Sequence, residues 1–274
     1  MNKNLVSIRV WGDFACFTRP EMKVERVSYP VMTPSAARGV LEAIFWEPEM
    51  YYLIDSIRIV KRGRWISFRR NEVTRVIKLD RVRTWMRSPQ EVKVIQADDP
   101  GSDEPPKRES TRAQRNMLAL ADVEYIITAE VRLTKLGESA PEEVSKYLHE
   151  IERRARIGKC FHRPALGVRE FAADFEWEDD AQAALERRAG ESNKDWRRIW
   201  AEEDLGLMLY DVFDHNQRSH GFRVLGKDER MATPEREGVP VKPEAVFFHA
   251  RVANSRLDCH PQQVRFVQTK VLEV

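Results

Sequence analysis

The order of hydrophobic periods constrains this chain most. Residues 33–48, TPSAARGVLEAIFWEP, place Ala37, Val40, Leu41, Ile44 and Phe45 at the spacing of one helical face. Thr33 suits the N-cap, Pro34 suits the first helical position, and Pro48 stops the pattern. Residues 138–158, ESAPEEVSKYLHEIERRARIG, repeat the period through Val144, Tyr147, Leu148, Ile151 and Ala155. Ser139 and Glu142 have capping-box spacing, and Gly158 suits the C-terminal cap. Runs of period two flank both helices: LVSIRVW, YYLIDSIRIV, DVEYIITAEVRL and REFAADFEW.

Strand, helix, strand, then strand, helix, strand is a split βαβ pattern, which predicts an α+β, ferredoxin-like (RRM-like) domain over residues 1–178. A basic insertion, 58–118, divides its halves. Within it, residues 58–93 hold 12 Lys/Arg against 3 Asp/Glu, interleaved with Trp65, Phe68 and Trp85. Alternation of charged with β-branched and aromatic residues predicts an extended β-ribbon, and DDPGSDEPPKREST a loop at its tip. An acidic helical or loose connector over 179–204 and a small antiparallel β domain over 205–274 complete the expected plan. The latter draws on LGLMLYDVF, GFRVLG and AVFFHARVANSRL.

The net charge of +2 hides an asymmetry. Residues 1–117 carry 22 Lys/Arg and 15 Asp/Glu, whereas residues 118–274 carry 24 and 29. A positive face for an anionic partner and a separate acidic region follow. Three cysteines do not make a disulfide framework. The segment MNKNLVSIRVWGD lacks the apolar core of a signal peptide, and no apolar run approaches the roughly 20 residues that span a bilayer. A cytoplasmic protein without a membrane partner is the expectation.

The stretch GKCFHRPALGVREF, 158–171, raises a choice between metal and anion. Zinc takes three or four ligands, often from closely spaced pairs. Cys160 with His162, His215 with His220, and Cys259 with His260 are short pairs without the spacing of a zinc ribbon or finger. No metal or other cofactor is assigned. The anion reading is better supported, because residues 146–169 carry seven Lys/Arg against two Glu, and Gly158 and Gly167 let a phosphate approach the backbone. Basic residues in quantity suit phosphates, and interleaved aromatics suit stacked bases. The candidate RNA-binding residues are Arg9, on the polar face of the first strand, Arg64, Arg69 and Arg70 in the ribbon, and Arg153, Gly158, Lys159, His162, Arg163, Gly167 and Arg169.

Three segments, RVWGDFACFTRPEMKVERVSYPVMTPSAARGVLEAIFW, RRNEV and RRARIGKCFHRPALGVREF, resemble the CRISPR-associated RAMP proteins of the fifth Cas family, subtype I-C, also called Dvulg. The likeness runs from about residue 5 to 177. It implies a ferredoxin-like RNA-binding domain that cuts precursor CRISPR RNA within each repeat. It also implies that the protein stays on the 5′ handle in an interference complex with backbone and large subunits. The implied cleavage needs no metal, because a 2′-hydroxyl attacks its own phosphate.

The resemblance also implies an aromatic or His near the end of the first helix and a Lys-His pair on the second. This sequence has Phe45, Lys146 and Tyr147 there. Lys146 can supply charge to the phosphate. Phe45 cannot move a proton, and a tyrosine with an ordinary pKa of about 10 is a poor base. His149, three residues after Lys146 on the same helical face, is the substitute, and Tyr51 and Tyr52 are outside candidates. Lys146, Tyr147 and His149 are thus the catalytic candidates. A non-catalytic RNA-binding subunit is the alternative.

Overall fold

The first strand shows why one face of the sheet had to be covered. The computed structural model describes residues 4–73, 78–91, 112–139, 143–192, 202–222 and 233–267. Strand β1 (Leu5–Ala15) buries Val6, Ile8 and Val10 on one side. Helix α1 (Pro34–Ile44) packs Val40, Leu41 and Ile44 into the same cluster. Thr33 caps α1, its hydroxyl accepting from the Ala36 amide at 3.2 Å, and the chain turns extended at Phe45. Two strands bracket this part of the fold: the short β2 (Arg26–Val27) precedes α1 and the 12-residue β3 (Met50–Lys61) follows it.

The basic ribbon forms only in part. Strand β4 (Arg64–Val73) pairs antiparallel with the first half of the 22-residue β5 (Arg112–Leu133), in register from Arg64 opposite Ala121 to Val73 opposite Arg112. The second half of β5 lies between β1 and β3. At the junction Asp122 adopts φ +57°. Residues 79–87, expected as ribbon, form helix α2 (Leu79–Arg87) instead. Leu79, Val82 and Met86 recur at helical spacing, yet the helix buries none of its residues. The loop expected at the ribbon's tip lies outside the described residues.

A short helix α3 (Lys135–Glu138), capped by Thr134, leads towards α4 (Val144–Arg156). The expected capping box at Ser139 does not start α4: Glu143 holds the N-cap without a side-chain bond, while Ser139 ends α3 and donates from its hydroxyl to the Lys135 carbonyl at 2.8 Å; Glu142 lies outside the described residues. Helix α4 buries Tyr147, Ile151 and Ala155 beside α1. It ends at Gly158, whose φ of +66° is the left-handed conformation that glycine adopts cheaply. The fourth strand was expected over 169–177, but β6 covers Asp174–Trp177. The preceding residues are held in a loop by bonds from the Leu166 amide to the Phe171 carbonyl and from the Ala173 amide to the Pro164 carbonyl. The resulting strand order is β6-β1-β5-β3, all neighbours antiparallel.

Helix α5 (Ala181–Ser192) occupies the start of the acidic segment and covers the opposite face of the sheet. Its Ala184, Leu185 and Ala189 pack on Val60 and Ile126. Strand β7 (Glu202–Asp211) and helix α6 (His215–Ser219) follow, then the small hairpin β8 (Glu235–Arg236) and β9 (Val239–Pro240). Most of GFRVLG lies outside the described residues. Strands β10 (Val246–Ala253) and β11 (Arg256–Asp258) form a hairpin whose turn residues, Asn254 and Ser255, both have positive φ, and β12 (Phe266–Val267) pairs with β10. Such two-residue turns match the twist of antiparallel strands. Strand β11 pairs with β3, so the C-terminal strands extend the same sheet. Their buried Met208, Phe248, Val252 and Leu257 belong to the same core as Val6 and Ile8.

A ring of four charges also ties the C-terminal unit to α1. Arg38 makes two bonds to Asp211, at 2.6 and 2.9 Å, and one to Glu42 at 2.6 Å. Arg218 closes the ring on Glu42 and lies 3.7 Å from Asp211. Only the Arg38–Glu42 pair, four residues apart on one helix, was open to sequence reading.

Candidate nucleic-acid interface

The loop from 157 to 171 is held at both ends by backbone hydrogen bonds. The Phe161 and His162 amides donate to the Ala43 carbonyl at 3.0 and 2.9 Å, on the last turn of α1. The Cys16 amide donates to the Leu166 carbonyl at 2.9 Å, where β1 ends. Gly167 has φ +89°, and a Cβ there would stand 2.0 Å from the Cys16 carbonyl oxygen, so only glycine fits. Held this way, the loop turns Lys159, Phe161, His162, Arg163 and Arg169 to solvent. Cys160 is half-buried, whereas Cys16 and Cys259 are fully buried. His215 with His220 and Cys259 with His260 lie on the C-terminal unit, away in sequence and fold from this loop.

Between the loop and α1 runs a cleft of about 840 Å³. Thr18, Thr33, Ser35, Gly39, His162, Arg163 and Arg169 are among its lining residues. Pockets of about 300–1,000 Å³ are the usual size for small ligands and parts of larger ones.

The ribbon is fastened to this loop by aromatic packing. Phe14 meets Phe68 edge-on at 5.0 Å and Phe171 at 5.6 Å, and Ile66, Met117 and Val168 join the same small cluster. The other face of β4 is open: Trp65 is 50% exposed and Arg69 is exposed, while Arg64, exposed at the strand's start, alternates onto the face of Ile66 and Phe68. Arg70 points the other way, into ion pairs with Glu72 and with Glu170 at 3.4 Å. Two basic regions some 90 residues apart in sequence are thus brought together, the loop packed on one face of β4 and Trp65 and Arg69 open on the other.

Arg9 does not belong to it. It is 9% exposed, with Glu124 and Glu176 each at 2.9 Å and Glu178 at 3.8 Å, and its guanidinium lies 3.6 Å from the centre of the Trp11 ring. Arg188 of α5 pairs with Glu176 at 2.7 Å over the same spot. A cation surrounded by three carboxylates and roofed by a helix has its charge compensated inside the protein. The polar face of β1 therefore serves the packing of α5.

On α4 the candidates separate. Lys146 and His149 are exposed, on the same side of the helix. Tyr147 is 1% exposed, in the core. Its ring stacks on Phe45 at 6.4 Å and 28°, and the Lys146 ammonium lies 5.5 Å from the ring centre. Tyr52 is buried too, donating from its hydroxyl to the Phe45 carbonyl at 2.8 Å, and burial holds that hydroxyl far above the ordinary tyrosine pKa. Tyr51 is buried and raised for the same reason. Arg153 is exposed but paired with Glu150 at 2.8 Å, and Arg154 shares the same carboxylate at 2.6 Å. The bonds from Arg153 and then Arg154 pull the Glu150 carboxyl down to about 2. Arg154 also lies 5.1 Å from the centre of the Phe45 ring. Sequence reading missed both Arg154 and Phe161. For Phe161 the signal was present, an aromatic within a basic glycine loop.

The last turn of α1 therefore joins two regions: Phe45 packs on α4, and the Ala43 carbonyl holds the loop. Among the described residues no group of three or more His, Cys, Asp or Glu is placed to hold a metal ion.

Comparison with known proteins agrees with this frame. The family model described as CRISPR-associated protein (Cas_Cas5), of the Cas5d type, matches residues 5–260. The CRISPR pre-crRNA endoribonuclease Cas5d of Mannheimia succiniciproducens is 40% identical over 234 residues, covering 84% of this chain and 95% of that protein. The protein of the same name from Thermus thermophilus is 36% identical over 256 residues, covering 92% and 90%. A solved structure titled "Crystal Structure of CRISPR-associated Protein" superposes with a TM-score of 0.52 at 18% identity, over 93% of this chain and 90% of that one, a likeness of fold. The chain belongs to the Cas5 family of CRISPR-associated proteins, subtype I-C.

Proposed function

We propose that this protein is a metal-independent endoribonuclease that cuts precursor CRISPR RNA within its repeat and then stays on the 5′ handle. The observation that carries the reading is the joining of strand β4, which bears the exposed Trp65 and Arg69, to the Lys159–Arg169 loop by the Phe14–Phe68–Phe171 cluster. It brings two basic, aromatic-bearing segments together on a chain whose relatives are named pre-crRNA endoribonucleases. Phosphates are held by cations and unpaired bases by aromatic faces. We read the strand order β6-β1-β5-β3, with α1 and α4 on one face, as ferredoxin-like over residues 1–178, with 205–274 as its β extension.

In the proposed reaction a ribose 2′-oxygen bonds to the adjacent phosphorus and the bond to the 5′-oxygen breaks. The 2′ proton passes to a base and the leaving oxygen takes up a proton. The products are a 2′,3′-cyclic phosphate and a 5′-hydroxyl. Because the nucleophile belongs to the RNA, no metal-activated water is required. We assign charge stabilisation of the crowded phosphate to Lys146 and proton transfer to His149, the exposed pair on α4. Tyr147 is the weaker candidate for that transfer, since its hydroxyl lies in the core. We also propose that the bound product is passed into an interference complex with backbone and large subunits. Among the described residues no helix is long and apolar enough to cross a membrane.

The test is incubation of the purified protein with a labelled repeat hairpin in EDTA. The expected result is one cut with a cyclic phosphate end. Tight binding without cutting, in EDTA and in Mg²⁺ alike, would leave the RNA-binding subunit as the function. The burial of both Phe45 and Tyr147 is the observation that favours this second reading.

A further inference from the structure

Gly39 sits in the interior of α1, where glycine is a poor choice and alanine the best. Packing does not explain it. A Cβ at Gly39 would meet no protein atom within 4 Å, and the residue is exposed. It lines the cleft of about 840 Å³ shared with His162, Arg163 and Arg169. The space beside this glycine is therefore left open in a wall that faces three basic or polar side chains.

A second observation lies beside His162 of the cleft wall. Phe161 is 74% exposed, an unusual state for a phenylalanine in a fixed backbone. Its amide is bonded to the Ala43 carbonyl at 3.0 Å, and its ring meets that of His162 at 4.5 Å and 68°. Neighbouring Lys159 and Arg163 are exposed cations. A rigid, exposed aromatic within a cationic loop is a platform for a base, since every base offers a flat face.

We propose that this cleft is a subsite for a single unstacked ribonucleotide, its base on the Phe161–His162 ring pair and its sugar–phosphate against α1 at Gly39. The proposal rests on the RNA-binding reading above and locates one nucleotide within it. Arg169 balances the phosphate charge, joined by Arg163, an exposed cation that lies 3.3 Å from Asp174 in the free protein. The close approach to helix backbone is what a side chain at position 39 would block.

The test compares wild type with Gly39→Ala, Phe161→Ala and Phe161→Trp for equilibrium binding of a labelled repeat RNA in EDTA, alongside thermal unfolding. Gly39→Ala should unfold at a higher temperature than wild type yet bind RNA at least tenfold more weakly. Phe161→Ala should unfold as wild type does and lose roughly 5- to 150-fold in affinity, the worth of one stacked base. Phe161→Trp should bind like wild type and show added emission that RNA quenches. Wild-type affinity in either Gly39→Ala or Phe161→Ala overturns the subsite while leaving RNA binding intact. So does a Gly39→Ala protein that unfolds at a lower temperature, since the glycine would then be a packing requirement. A wild type that does not bind the RNA removes the function and this subsite together.

Discussion

The ring of Phe45 lies stacked on the ring of Tyr147, 6.4 Å between centres and 28° between planes, both residues being buried. The contact closes α1 against α4 at the place where the family resemblance leads one to expect proton-transfer groups. In this chain that place is a packing contact, bordered by the cations Lys146 and Arg154.

Tyr147→Phe keeps the stacked ring and removes only the hydroxyl. Cleavage of the repeat in EDTA should continue at close to the wild-type rate. Tyr147→Ala should instead lower folding stability by about 3–5 kcal/mol, the usual cost of emptying a large aromatic site. Denaturant unfolding and a gel assay on the two variants check this. A Tyr147→Phe protein that is folded but inactive would return the hydroxyl to the chemistry.

Lys146→Ala should abolish cleavage while weakening RNA binding only modestly, because one phosphate contact among many is lost. His149→Ala should slow cleavage by roughly 10²-fold or more, the ordinary worth of a positioned base. Both side chains are exposed, so neither substitution should shift the unfolding midpoint. Single-turnover cleavage with separate binding measurements distinguishes the two effects. Equal rates in His149→Ala and wild type would remove His149 from the mechanism.

The ribbon face makes a salt-dependent prediction. Arg69→Ala should reduce the slope of log affinity against log salt by about 0.7, the share of one phosphate contact on a single strand. Trp65→Ala should weaken binding by about 1–3 kcal/mol at every salt concentration without changing the slope. Arg70→Ala should do less than Arg69→Ala, because Arg70 is already paired with Glu72 and Glu170. Titrations at several salt concentrations decide it; wild-type slope in Arg69→Ala together with wild-type affinity in Trp65→Ala would take the ribbon out of the interface.

Glu150 pairs with Arg153 and Arg154, and on the proposed reading it competes with RNA for them. Glu150→Gln should tighten RNA binding and steepen its salt dependence, since two guanidinium groups are released. The pH dependence has a definite sign. The carboxyl is held at about 2 in the fold against an ordinary value of 4.5, so its contribution to stability is present above 4.5 and lost as pH falls towards 2. The contribution is small, because the carboxyl is near the surface and screened by solvent. Acid unfolding of wild type and variant, with binding isotherms at neutral pH, measures both; a weaker-binding Glu150→Gln protein would contradict the competition.

The sequence by itself determined the elements whose burial is one-sided and continuous. Strands β1 and β10 and helices α1 and α4 are legible because every second or every third to fourth residue faces one core. The glycine loop was legible for a similar local reason: Gly158 ends a helix and Gly167 carries a conformation that other residues resist. Helix α2 was misread because its nine residues bury nothing, so charge and aromatic content outweighed a short helical period. Only the tertiary structure decided which cations are available. Arg9 and Arg69 look alike in the sequence, each on an exposed-looking strand face. One meets Glu124 and Glu176, 115 and 167 residues away, while the other meets solvent. Local period reports which face a side chain takes. It carries no record of the distant charge waiting on that face, and that charge decides whether a cation is spent on the fold or left for RNA.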